Sequence, residues 1–139
     1  MQIKSKEIDI QATPEQVFRQ IADCNHLKQG IGLANVPQMS DLECSDTECS
    51  FQMTGVGRTA LRIRETTFPS EVVYDVKNEN IKSVTVVFHI EGNGAQTRLS
   101  STADMDLPFF MSQMLKPVLQ NFINILVESV KTTTERQNA

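Results

Sequence analysis

The chain has no basic excess, no long apolar run and no regular cysteine spacing. Lys and Arg number 13 against 17 Asp and Glu, a formal net charge of −4. Nucleic-acid binding, which needs a basic face, is therefore not expected. Arg58, Arg62 and Arg64 do gather, but Glu65 and Glu71 lie close by. The richest apolar stretch, Val118 to Val127, is interrupted by Gln120, Asn121 and Asn124. It falls short of the ~18 to 20 uninterrupted apolar residues of a membrane span, so no integral membrane segment is expected. The opening MQIKSKEIDI lacks the apolar core of a secretory signal. Three cysteines, an odd number, then point to reduced thiols and a cytoplasmic location. There is no CxxC. Cys24 and His26 together with Cys44 and Cys49 would make four zinc-type ligands, but the pairs fall in different elements. No metal and no cofactor is expected.

What is present is ordinary for one soluble domain: 139 residues, 40% apolar and 22% charged. A chain of this size can bury roughly two-thirds of its unfolded surface. Ile3, Ile8 and Ile10 among polar neighbours predict a first strand over 2–11. In ATPEQVFRQIADCNHL, Thr13 precedes Pro14 and stands three before Gln16, a capping-box start for a helix. Val17, Phe18 and Ile21 form its apolar face. A second short helix is predicted from Cys24 to Leu33, ended by Gly30 or Gly32.

From Val36 to Asp106 the apolar period shifts from 3.6 towards 2. Six strands are predicted, at 38–44, 48–54, 57–67, 71–77, 81–91 and 96–106. Short turns join them: Ser45-Asp46-Thr47, Gly55-Val56-Gly57, Pro69-Ser70, Asn78-Glu79-Asn80 and Gly92-Asn93-Gly94. Such turns favour antiparallel neighbours. Val84, Val86, Phe88 and Ile90 share one face of their strand. Leu61 and Ile63 oppose Arg62 and Arg64, Val72, Tyr74 and Val76 oppose Asp75 and Lys77, and Leu99, Ala103 and Met105 oppose Arg98, Thr102 and Asp104. Each strand has one apolar and one wet face, as in a sheet covered on a single side.

The cover is a long amphipathic helix over 108–135. Its polar stripe is Gln113, Lys116, Gln120, Asn124, Glu128 and Lys131, and Pro117 is expected to bend it.

The segments IDIQATPEQVFRQIADCNHLKQ, ETTFPSEVVYDV and LKPVLQNFINILVESVK carry a resemblance that spans nearly the whole chain. The chain resembles the START-like (SRPBCC) superfamily, which includes birch-pollen-allergen-like proteins and the polyketide cyclase/dehydrase and lipid-transport group. The resemblance implies an α+β helix-grip fold over 1–139. A curved seven-stranded antiparallel sheet would wrap a long C-terminal helix, with two short helices between strands one and two. It also implies an apolar cavity between sheet and helix, which holds lipids, sterols, quinones, polyketides or hormones in different members. The inward positions that would line it are Leu61, Ile63, Tyr74, Val86, Phe88, Leu99, Met105, Met111, Met114, Val118 and Phe122. Pattern alone does not distinguish a hollow core from a filled one.

Acid–base chemistry would require a titratable group facing the cavity. His26, in the helix that borders the cavity in this superfamily, and Tyr74, the only tyrosine, are the candidates. The Tyr74 hydroxyl would either anchor a ligand or bond the backbone, with the backbone favoured. His89 falls on the outer face. Phe109 and Phe110 form either a gate or exposed patch at the cavity mouth or a hydrophobic staple at the helix start. Cys44 and Cys49 flank a turn and can face each other, although a reduced pair is the expectation. The two Gly-x-Gly sequences open no helix and read as turns. The expected function is binding of a small hydrophobic ligand such as a lipid, quinone or polyketide-like molecule. The alternatives are a cyclase/dehydrase-type enzyme, or a protein-interaction module with a vestigial cavity.

Overall fold

The computed structural model describes residues 1–34 and 39–137, with the side chains of residues 32–34, 82, 83 and 93 left aside. Val36 and Gln38, where the sheet region and its first strand were expected to begin, fall outside these residues. The elements run β1 (Gln2–Lys4), β2 (Ile8–Ile10), α1 (Pro14–Ile21), α2 (Cys24–Ala34), β3 (Met39–Cys44), β4 (Glu48–Met53), β5 (Gly57–Thr67), β6 (Glu71–Asn78), β7 (Ile81–Asn93), β8 (Gln96–Asp106) and α3 (Phe109–Gln137). The sheet order is β1-β8-β7-β6-β5-β4-β3, with β2 also paired to β8. Every pairing is antiparallel.

The expected single first strand is broken into β1 and β2, and the break has a partner. After Ser5, whose N–H still donates to the Ser101 carbonyl at 2.8 Å, the backbone leaves β8 at residues 6 and 7, and α3 meets it with its polar stripe. The side chain of Gln120 donates to the Lys4 carbonyl at 2.7 Å, Lys6 N–H donates to Asn124 Oδ1 at 3.0 Å, and Lys131 Nζ donates to the Asp9 carbonyl at 2.6 Å. A stripe that reads as a solvated face instead satisfies backbone groups along the interrupted edge. This turns the helix about its axis relative to the expected orientation.

Thr13 caps α1 as its sequence predicts: Gln16 N–H donates to Thr13 Oγ1 and Thr13 N–H to Gln16 Oε1. The helix α2, however, continues through Gly30 and Gly32. Gly30 is not a terminator. A Cβ at that position would lie 2.9 Å from Thr133 Oγ1 and 3.0 Å from Ser129 Cβ. It is the point where α2 and α3 touch, with small residues on both sides.

The helix α3 is continuous across Pro117. At 1.5 Å per residue it is about 43 Å long, and its fully buried side chains lie in its second half, while Leu115, Val118, Leu119 and Phe122 of the first half are half-buried against the core. Its buried side chains begin at Ile123 and continue with Leu126, Val127, Ser129, Val130, Thr133 and Thr134. Among the described residues its Cα atoms come within 8 Å of α1, α2, β1, β2 and β8, but not of β3–β7. The gap over the middle of the sheet is spanned by side chains alone.

The junction of α1 and α2 is pinned from two sides. The Tyr74 hydroxyl, on β6, donates to the Ile21 carbonyl at the end of α1. The turn between β3 and β4 holds the start of α2: Cys24 N–H donates to the Asp46 carbonyl at 3.1 Å, and Asn25 Nδ2 to Asp46 Oδ1 at 2.8 Å. In that hairpin Cys44 and Cys49 are directly opposed, with Cα atoms 4.1 Å apart, and are joined in a disulfide. The expectation of a reduced pair is corrected: cross-strand pairing brings the two side chains together. Cys24 remains a free, buried thiol.

Two outcomes test this packing. Replacing Gly30 by Val overpacks the α2–α3 contact and lowers stability by about 1–3 kcal/mol, read from the urea midpoint. Burial pushes the Cys24 thiol from 9.0 up to about 11, and burial likewise raises the Tyr74 phenol. Both groups stay neutral in the folded protein at pH values where the unfolded chain ionises. Stability is therefore intact below about pH 9 and falls as pH rises through about 11, by on the order of 2–3 kcal/mol for the thiol. Denaturation series between pH 8 and 11, with a shallower slope for Cys24→Ser, check this.

Candidate functional site

Between the sheet and the middle of α3 lies a small, partly open apolar pocket of about 50 Å³. Its floor comes from the concave side of the sheet: Phe51 and Met53 of β4, Leu61 of β5, Val76 of β6, Val84 and Val86 of β7, and Ala103 and Met105 of β8. Its roof is Leu119, Phe122, Ile123 and Leu126 of α3. The alternation of β7 explains the floor, since Val84, Val86, Phe88 and Ile90 are buried while Thr85, Val87 and His89 are half-exposed. The rings of Phe51 and Phe122 meet across the gap with centroids 5.7 Å apart.

The cavity contains two polar side chains, and both are committed elsewhere. Asn78 Nδ2 donates to the Val56 carbonyl, the Arg58 carbonyl and Thr59 Oγ1, at 3.1, 3.3 and 2.8 Å. Its Oδ1 accepts from Asn80 N–H, while Thr59 Oγ1 donates to the Gly57 carbonyl. Arg58 N–H donates to Glu79 Oε1 at 3.1 Å and Asn80 Nδ2 to the Val56 carbonyl at 3.0 Å. These bonds knit the β4–β5 turn to the β6–β7 turn and make a fixed rim. Gly57, at φ +97°, allows the first turn to fold back so sharply. Among the described residues no lining side chain titrates.

Of the residues expected to line a cavity, Leu61, Val86, Met105 and Phe122 are brought together here. Ile63 and Val118 are half-buried against the core beside it. Tyr74, Phe88 and Leu99 are fully buried in packed regions off the lining, with the Tyr74 and Phe88 rings edge to face at 5.7 Å. Met111 is half-exposed, and Met114 is 73% exposed and faces outward. The rotation that commits the polar stripe of α3 to β1 and β2 carries Met114 away from the sheet. Phe51, Met53, Ala103, Leu119, Ile123 and Leu126 were not singled out from the sequence. A face assignment for 48–54 and a helix rotated by one position would have found most of them.

The acid–base candidates lie elsewhere. His26 Nδ1 sits 3.2 Å from the Arg19 carbonyl, over a closed crevice between α2 and α3 rather than at the cavity. His89 is on the outer face, with Nε2 3.3 Å from Thr102 Oγ1 and Nδ1 4.0 Å from Glu71. Tyr74 uses its hydroxyl on the backbone. Among the described residues no three His, Cys, Asp or Glu side chains form a metal-binding group. Among them also, no helix is long and apolar enough to cross a membrane. Phe109 and Phe110, at 78% and 67% exposure, form an exposed patch rather than a staple.

No protein-family model and no curated protein sequence matches the chain. Solved structures do. A point mutant of norcoclaurine synthase from Thalictrum flavum, in complex with a transition-state analogue, is similar at a TM-score of 0.79 and 9% identity, covering 100% of this chain and 96% of that one. A conserved protein from Geobacillus kaustophilus is similar at 0.70 and 13% identity, covering 98% and 96%. A START superfamily protein from Mycobacterium smegmatis is similar at 0.67 and 11% identity, covering 98% of each chain. Likeness at these identities is a likeness of backbone. With the strand order, the paired short helices and the C-terminal helix already described, the chain has the START-like helix-grip fold.

Proposed function

We propose that the protein binds a small, uncharged, hydrophobic molecule between the sheet and α3, in contact with Leu61, Val86, Met105 and Phe122. The observation that carries this reading is the chemistry of the lining: apolar on every wall, with its two polar side chains already saturated. Such a surface rewards a hydrocarbon or aromatic portion by desolvation, at about 25 cal/mol per Å² of apolar area. It penalises any ligand that brings an unpartnered polar group inside. A lipid tail, a quinone or a polyketide-like ring system is the class that fits.

The pocket of about 50 Å³ is small beside the roughly 300–1,000 Å³ of typical ligand pockets. A ligand therefore enters by displacing a wall. The half of α3 before Ile123, where no side chain is fully buried, is the wall that gives at least cost. The turns knitted by Asn78 and Asn80 are the wall that stays.

A cyclase- or dehydrase-type activity is less well supported. Norcoclaurine synthase has been captured with dopamine and hydroxybenzaldehyde on a similar backbone, so the fold accommodates catalysis. Among the described residues of this chain, however, no side chain able to transfer a proton near neutral pH lines the pocket.

The test is native mass spectrometry of protein purified from its own host. The expected result is an added mass released by organic solvent. Ala103→Leu, which fills the pocket from β8, should remove the adduct at a cost in stability of about 1–3 kcal/mol. An adduct unchanged in Ala103→Leu, or no adduct in the parent protein even after incubation with a mixed lipid extract, would sink the reading.

A further inference from the structure

The β3–β4 hairpin carries chemistry that the pocket does not use. Cys44 and Cys49 are directly opposed in it and joined in a disulfide. The two sulfurs are not equally reachable. Cys49 is 0% exposed, on the inner face of β4 with Phe51 and Met53. Cys44 is half-exposed, on β3, which ends the sheet and among the described residues pairs with β4 alone. A thiolate arriving from solvent therefore meets the Cys44 sulfur and not its partner.

The surroundings suit the open state as well as the closed one. Cys49 Sγ lies 3.3 Å from the Cys24 carbonyl at the start of α2. A disulfide sulfur has no proton to give that oxygen, whereas a Cys49 thiol would donate to it, if weakly. The turn also stays closed without the bridge, because Ser45 N–H donates to the Glu48 carbonyl at 2.8 Å. At a sequence separation of only 5, the bridge restrains the unfolded chain little. Its hold is on the edge. The β3–β4 register is broken between Ser40 and Glu43, where Asp41 stands at φ +54°, so few ladder bonds secure β3. The same hairpin grips α2, since Cys24 N–H and Asn25 Nδ2 both donate to Asp46. Cys24 itself stays out of exchange. Its thiol lies against the Tyr74 hydroxyl, and burial keeps it protonated.

We propose that Cys44–Cys49 is an exchangeable disulfide, opened at Cys44 by an external dithiol, and that its opening releases the edge strand β3 and the start of α2. One thiolate of the dithiol attacks Cys44 Sγ and forms a mixed disulfide. The bond to Cys49 breaks, and Cys49 leaves as a thiolate that takes a proton from water. The second thiolate then attacks the dithiol's own sulfur in the mixed disulfide and frees Cys44, which is protonated in turn. The protein gains two electrons and two protons, and the dithiol becomes a disulfide. A monothiol such as glutathione lacks this internal second step and lingers as an adduct on Cys44. Because β4 also carries Phe51 and Met53 into the pocket floor, the release reaches that floor. The proposal does not rest on what the pocket binds.

The whole chain, first treated with oxidised glutathione, is the sample. Under native conditions reduced glutathione should give a first adduct that peptide mapping places on Cys44. After dithiothreitol, Cys44 should alkylate at least about tenfold faster than Cys24. Hydrogen exchange of the reduced chain should quicken at least about tenfold over 39–50 and 24–28, with 84–91 and 97–105 unchanged. The double variant Cys44→Ser, Cys49→Ser should show the same quickening without reductant, which separates loss of the bridge from other effects of dithiothreitol. Three free thiols after the oxidising treatment overturn the proposal. So does a first adduct on Cys49 or Cys24, or a bridge that opens only as fast as the chain unfolds. Exchange over 39–50 that is unchanged on reduction marks a plain staple, and exchange that quickens everywhere marks global unfolding; either also overturns it.

Discussion

The contact on which the rest depends is the close approach of α2 and the second half of α3 at Gly30, Ser129 and Thr133. Side-chain-free backbone at Gly30 lets two helices meet at a spacing a methyl group would forbid. The threonine and serine hydroxyls at this seam are turned back onto their own helix: Thr133 donates to the Ser129 carbonyl and Ser129 to the Leu126 carbonyl. The seam is therefore dry without being purely apolar. It fixes where α3 lies, and so fixes which of its residues face the sheet and which face away.

Anchored at that seam and along the broken first strand, α3 has its fully buried side chains in its second half, while its beginning is held by the chain from β8. Ile123, Leu126 and Val127 close the core on one side. On the other, Leu119 and Phe122 reach down to β4 across open space. A fixed rim and incomplete packing under the first half of α3 are what the proposed binding of a hydrophobic molecule draws on; full packing would add stability and leave it no room.

Much of this was legible in the residues. The change from a 3.6 to a 2 period, the Thr13-Pro14-Gln16 start and the turn dipeptides specify element type, order and the antiparallel sheet, because these depend on local chemistry. Apart from the Cys44–Cys49 disulfide and the face of 48–54, which are local, the features missed depend on contacts between distant segments. Gly30 looks like a helix stop until Thr133 is placed beside it. Gln120, Asn124 and Lys131 look solvated until the break between β1 and β2 is known. Met114 looks inward-facing until those three residues set the rotation of the helix. The cavity lining followed the same rule. Strand positions such as Leu61, Val86 and Met105 came from alternation, whereas the choice among helix positions required the seam.

Pro117 sits within the first half of α3 and has no N–H to offer the carbonyl of Gln113, four residues before it. One rung of the helix ladder is thus absent by covalent structure. A hinge at that point parts no bond the helix ever had, so the preceding turns can swing on it while the residues after Ile123 stay gripped.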